Sequence, residues 1–226
     1  MKLYMHPVST VSRPVALLIA EKNLPVEEEV VDLTTGAHYQ EPYVSKNPNS
    51  RVPMLEDGDF RLTESSAILK YLADTFDLPE YPKDLKARAR VNEVMDWFLT
   101  ELYPEFGYGM IYPQLFPHHK RQNDTAQAGT IEWGHKNSLR WLQILNDHWI
   151  GPDKAYLCGD NITIADYLAF GIITVGEVVG CDLSKFPNVQ RWIGTMKKLP
   201  NYAKVNAIFE GWSASVPEKE RFVAVR

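Results

Sequence analysis

Apolar and polar positions change period along this chain, and the changes predict its elements. Residues 2–5, "KLYM", read as a short strand, and Val11, Val15, Leu18 and Ile19 then follow helical spacing. Pro14 sits in the first turn of that helix, where a missing N–H costs nothing. The run "VEEEVVDL" (26–33) predicts a second strand, so the first helix becomes a crossover between parallel strands. Helical character is ill-defined in "TTGAHYQEPY". "VPMLEDGDFRLTES" (52–65) predicts a hairpin joined at Asp57-Gly58, a favoured turn dipeptide. Thr63 is then expected to cap a helix carrying Ala67, Ile68, Leu69, Tyr71 and Leu72. This order, β-α-β, irregular helix, β-β-α, suits a mixed sheet that starts parallel and ends antiparallel.

Beyond residue 84 only helical patterns recur, at about 85–112, 123–148, 163–179 and 188–198. "FDLPEYPKD" (76–84), with two prolines and three acids, separates the halves. The reading is therefore an α/β domain over 1–78, a linker over 79–84 and an all-α domain over 85–226. Within the second half, "NITIADYLAF" offers Thr163 as N-cap with Asp166 three residues on, and Ile162 and Tyr167 as a hydrophobic staple. That motif nucleates a helix, and its loss should harm folding before chemistry.

Composition narrows the function. A chain of 226 residues, 45% hydrophobic and 23% charged, can bury a substantial core. A formal net charge of −5 and no basic run argue against nucleic acid. No apolar stretch is long enough for a membrane span, and the polar break in "MKLYMHP" does not fit a secretory signal, so a cytoplasmic protein is expected. Cys158 and Cys181 form no CxxC and are expected to be buried packing residues. His118 and His119 in "LFPHHKR" lack ligand spacing and are expected on a surface loop; no metal site is expected. "FGYGMI" lacks the lysine and serine of a phosphate loop.

Three features could carry chemistry. "HPVSTVSR" (6–13) sets three hydroxyls, Ser9, Thr10 and Ser12, between the first strand and the first helix. Pro53 opens an apparent central strand, where proline cannot donate to a ladder, so Val52-Pro53 is expected to be cis. That turns the Val52 backbone N–H and C=O outward to pair with an extended, peptide-like ligand. Glu64 and Ser65 begin a helix whose N-terminal amides attract a carboxylate while Glu64 receives an ammonium, a site suited to an amino-acid zwitterion.

With these residues in hand, "NPNSRVPMLEDGDFRLTESSAILKYLAD" (47–74) resembles the glutathione-binding half of the cytosolic glutathione transferases, in a theta/delta-like bacterial type. "VDLTTGAH" (31–38), "RARVNEVMDW" (88–97) and "GDNITIADYLAF" (159–170) extend the resemblance over nearly the whole chain. It implies a thioredoxin-like first domain, an all-helical second domain and a homodimer, with Asp96 reaching toward the partner's γ-glutamyl amine. Glutathione would be the co-substrate. By motif position, Val52, beside Pro53, would pair with the cysteinyl backbone. Glu64 and Ser65 would hold the γ-glutamyl end, and His38 with Arg51 would meet the glycyl carboxylate. Two positions depart from the family: Ser50-Arg51 replaces glycine-lysine, and Tyr103 stands where some theta members carry an arginine over the active site.

A free thiol has a pKa near 8.5, and lowering it by about two units takes roughly 2.7 kcal/mol. One hydrogen bond to a charged acceptor gives about 1.5–3 kcal/mol and a helix N-terminus about 0.3–1 more, so a single hydroxyl suffices. Ser9, at the strand–helix junction where the family's serine sits, fits best; Thr10 and Ser12 are the alternatives. A small hydrophobic electrophile would lie between His6, Pro7 and Val8 and an aromatic surface of Tyr103, Phe106, Tyr108, Met110, Tyr112 and Phe116. The leading expectation is glutathione conjugation. Glutathione-dependent disulfide or peroxide reduction and a non-catalytic glutathione-binding interaction module are the alternatives.

Overall fold

The computed structural model describes residues 1–226. Its first half is a four-stranded sheet in the order β2-β1-β3-β4. Strands β1 (Lys2–Met5) and β2 (Glu27–Val30) run parallel, joined by helix α1 (Ser12–Lys22). Every side chain of β2 is exposed, and Lys2 bridges its Glu27 and Glu29 at 3.5 and 2.9 Å. After the short helix α2 (Tyr43–Lys46), β3 (Met54–Asp57) pairs antiparallel with both β1 and β4 (Phe60–Thr63). The hairpin turn is Gly58-Asp59, one residue later than the sequence suggests. Gly58 takes φ 63°, the left-handed conformation that suits glycine at the first turn position.

Helix α3 (Ser65–Thr75) follows without the expected cap. Thr63 is the last residue of β4, paired with Met54; Glu64 stands at the N-cap with φ 64° and makes no side-chain capping bond. The hairpin extends one residue further than the cap signal allowed, because the Met54–Thr63 pairing wins.

No helix or strand occupies 76–84. Then α4 (Leu85–Trp97) continues through wide π-type turns at Phe98–Leu102 and Pro104–Ile111 into α5 (Tyr112–Leu115). Helix α6 (Asp124–Ile144) returns alongside. The crossing is close: a Cβ on Gly134 would lie 2.6 Å from the Gly109 carbonyl carbon, so the two backbones meet with no side chain between them. This is the use of the second glycine in "FGYGMI".

Helix α7 (Ile164–Thr174) is buried on all sides, and its start holds as expected. The Asp166 carboxylate accepts the Thr163 N–H and hydroxyl at 2.8 and 2.9 Å, and also the Leu157 N–H and the Trp192 indole at 2.9 and 3.0 Å. Helices α8 (Pro187–Met196) and α9 (Tyr202–Ser215) complete the fold. The sequence pattern did not reveal α9. One continuous apolar core includes Leu3 and Leu17 of the first half and Leu168 and Trp192 of the second.

Candidate active site

A cleft of about 980 Å³ runs between the two halves. One wall comes from the first half: His6, Val8, Ser9, Thr10, His38, Arg51, Val52, Pro53, Glu64 and Ser65 all line it. Of the predicted hydroxyl and glutathione-binding residues, Ser12 alone is elsewhere. It is fully buried on the core side of α1, and its hydroxyl has no partner.

The polar wall is built by turn chemistry. Val52-Pro53 is cis, as is Glu41-Pro42, which the sequence reading did not anticipate. Neither the N–H nor the C=O of Val52 is hydrogen-bonded within the chain. The preceding carbonyl, of Arg51, is held by the Tyr43 hydroxyl at 2.5 Å and the Asn47 amide at 2.7 Å. Tyr43 and Asn47 thus position the segment that presents Val52; the turn-forming composition of "NPNS" was the available signal. Ser50 adopts φ 52°, a conformation glycine takes freely and serine rarely. Glu64 is also left-handed, exposed, and its carboxylate has no partner. Beside it the Ser65 N–H, first in α3, is unbonded. A free carboxylate next to free helix-terminal amides is complementary to a zwitterion. The His38 Nδ1 is buried without a partner, and burial lowers this imidazole's pKa, with His118 and His6 adding to the effect.

Ser9 and Thr10 differ in their bonding. Ser9 Oγ accepts the Ser12 N–H at 3.2 Å, so it tethers the start of α1 and keeps its own proton to donate. Thr10 is 5% exposed, and its Oγ1 accepts the Tyr112 hydroxyl at 2.7 Å.

The opposite wall is aromatic and apolar: Leu99, Tyr103, Tyr108, Tyr112, Phe116, Val175, Ile208 and Trp212. Phe106 and Met110 are not part of it; both are fully buried in the core. Pro7 likewise lies outside the lining. The wide π-type turns explain the phase error, since each inserts a residue and rotates the helix faces. His118 is exposed, as expected of a surface loop, and His119 is half-buried; both line the cleft. His119 packs against Tyr108 and Tyr112, with ring centres 5.4 and 5.3 Å away. Burial, with His118, Arg51 and Arg121 nearby, pulls its pKa down to about 4, so it is neutral at pH 7. Arg51 closes the rim by donating to the Tyr108 hydroxyl at 3.2 Å. Cys158 and Cys181 are only partly buried, and burial still pushes both thiols up to about 11, away from reactive thiolate.

Comparison with known proteins agrees with this geometry. The family model for the glutathione S-transferase N-terminal domain matches residues 1–74, and that for the C-terminal domain matches residues 136–200. Human glutathione S-transferase theta-2 is 32% identical over 200 residues, covering 87% of this chain and 80% of that protein. Human theta-1 is 32% identical over 195 residues, covering 85% and 80%. A structure of human theta-2 in complex with glutathione superposes with a TM-score of 0.83 at 27% identity, covering 100% of this chain and 93% of the other. A delta-class enzyme from Nilaparvata lugens superposes at 0.78 with 29% identity, covering 96% and 99%. The two family-model matches and the theta-class relatives, on a thioredoxin-like sheet domain joined to a helical domain, place the chain in the glutathione S-transferase family.

Proposed function

We propose that this protein is a glutathione transferase in which the Ser9 hydroxyl donates to the glutathione sulfur and stabilises it as thiolate for attack on a small hydrophobic electrophile. The observation that carries the reading is the bonding of Ser9: it lines the cleft, its oxygen is engaged by the Ser12 N–H, and its proton is free. The backbone of glutathione would run antiparallel to Val52, beside Pro53, with its γ-glutamyl end at Glu64 and Ser65. Its glycyl carboxylate would meet Arg51 and His38. The thiolate then attacks an electrophilic carbon held against Tyr108, Phe116 and Trp212, forming the C–S bond as the leaving group departs with the bonding pair.

The test is titration of glutathione bound to wild type and to Ser9→Ala, read by thiolate absorbance. The variant is expected to raise the bound thiol's pKa by about one to two. An unchanged value removes Ser9 from the mechanism. Halogenated carbons and a disulfide assayed side by side separate conjugation from reduction. Two copies of the chain would form a homodimer; Asp96, exposed and with an unpartnered carboxylate, is free to approach a partner's γ-glutamyl amine. A monomer by light scattering would end that part of the reading. No helix is long and apolar enough to cross a membrane.

A further inference from the structure

Beside Ser9, three hydroxyls form a directed chain. Tyr112 donates to Thr10 Oγ1 at 2.7 Å, which leaves the Tyr112 oxygen to accept from the Tyr103 hydroxyl, also 2.7 Å away. The order of donation is therefore Tyr103 to Tyr112 to Thr10. The Thr10 proton is the end of the chain and has no acceptor within the protein. Thr10, Tyr103 and Tyr112 are 5%, 7% and 7% exposed, and all three line the cleft. Burial pushes the Tyr112 phenol up to about 12 and that of Tyr103 well above its ordinary value, so both remain donors wherever a thiolate forms.

Two glycines fix the ends of this chain. A Cβ on Gly107 would lie 2.6 Å from the Tyr103 ring, so that ring occupies space only glycine leaves. A Cβ on Gly171 of α7 would overlap the Thr10 carbonyl and the Pro14 ring, so α7 backs directly onto Thr10. A hydroxyl that already accepts a hydrogen bond is polarised and becomes a stronger donor, the more so at low local dielectric.

We propose that the thiolate is held by two hydroxyls, Thr10 supplying the second beside Ser9, and that Tyr112 and Tyr103 are positioning residues that orient and polarise Thr10. This inference rests on glutathione binding in the cleft as read above. No proton moves along the chain; it supplies one charge-assisted hydrogen bond to sulfur, worth about a tenfold to hundredfold larger thiolate fraction below the thiol's pKa.

The experiment is the pKa of bound glutathione in Thr10→Val, Tyr112→Phe, Thr10→Ser and the Thr10→Val/Tyr112→Phe double variant. Thr10→Val keeps the side-chain shape and is expected to raise the bound thiol's pKa by about one, with Thr10→Ser restoring it. Tyr112→Phe should raise it by less, and should add nothing once Thr10 is valine, because its effect passes through Thr10. Tyr112→Phe leaves the Thr10 hydroxyl intact, so it reads the same chain if Thr10→Val fails to fold. A lowered thiol pKa in wild type that is indifferent to Thr10→Val, or to Tyr112→Phe, overturns this inference and leaves the Ser9 reading standing. Wild type that binds glutathione with an ordinary thiol pKa, or does not bind it, overturns both.

Discussion

The guanidinium carbon of Arg13 lies 3.5 Å from the centre of the Phe209 ring, stacking α1 of the first half on α9 of the second. Arg13 is 2% exposed, donates to Asn206 Oδ1 at 2.9 Å, to the Gly171 carbonyl at 3.2 Å and to Thr174 Oγ1 at 3.1 Å, and touches no carboxylate. Burial lowers its pKa to about 10. The charge is thus solvated by neutral dipoles and an aromatic face. Arg13→Ala should cost about 3–5 kcal/mol, through lost packing and orphaned acceptors. Because α9 carries Ile208 and Trp212 into the cleft, the KM for an apolar electrophile should rise more than that for glutathione. Denaturant unfolding and steady-state kinetics on both substrates check this.

Asp166 answers for folding alone. Its carboxylate is the acceptor for four donors at the start of α7, and the residue is fully buried. Asp166→Ala strands the Leu157 and Thr163 amides and the Trp192 indole without acceptors. A loss of about 3–5 kcal/mol is expected in urea unfolding, with glutathione affinity of the surviving folded fraction within about twofold of wild type.

His119 sets a pH dependence. Its folded pKa of about 4 lies below the ordinary 6.5, so between those values the unfolded chain binds a proton that the folded chain does not. Its contribution to stability is complete above pH 6.5 and falls away as the pH drops toward 4. His119→Phe keeps an aromatic ring against Tyr108 and Tyr112 and removes the titration. The variant's Tm relative to wild type should therefore increase steadily from pH 6.5 to pH 4; a constant difference would refute the assignment.

Arg51 reaches across the cleft mouth to Tyr108 from an exposed position. Arg51→Ala should raise the KM for glutathione about fivefold to tenfold, as befits one charged hydrogen bond at a rim. The kcat at saturating glutathione should change less than about twofold. A large loss of kcat instead would mean that the Arg51–Tyr108 contact shapes the electrophile's end of the site.

The elements legible in the sequence were those written locally. The first strand and helix, the hairpin and the Thr163–Asp166 box each depend on residues within a few positions of one another. Helix α9 was not legible because its buried face reads Tyr202, Asn206, Phe209 and Ser213, two of the four polar, while Ile208 is 60% exposed at the cleft. The apolar period is broken by Asn206, which is buried to serve Arg13, a residue 193 positions away. Glu64 and Val52 could be named because a free carboxylate and an outward backbone follow from turn chemistry. The side of the aromatic stripe that faces the cleft could not, since the π-type turns shift its phase between Leu99 and Tyr112. His119 escaped for a related reason: adjacent histidines carry no period, and only the cavity reveals which one turns inward.

The bare crossing of Gly109 and Gly134 has a consequence on the far side of the helix. Tyr103 and Tyr108 hang from the same segment that rests on Gly134, so the aromatic contour of the cleft is moulded from behind, by a residue outside its lining. A single methyl added there would act as a shim, pressing on the Gly109–Met110 backbone of the segment that carries the aromatic wall. The backing of the aromatic wall can therefore change through α6 while every residue that lines the cleft stays the same.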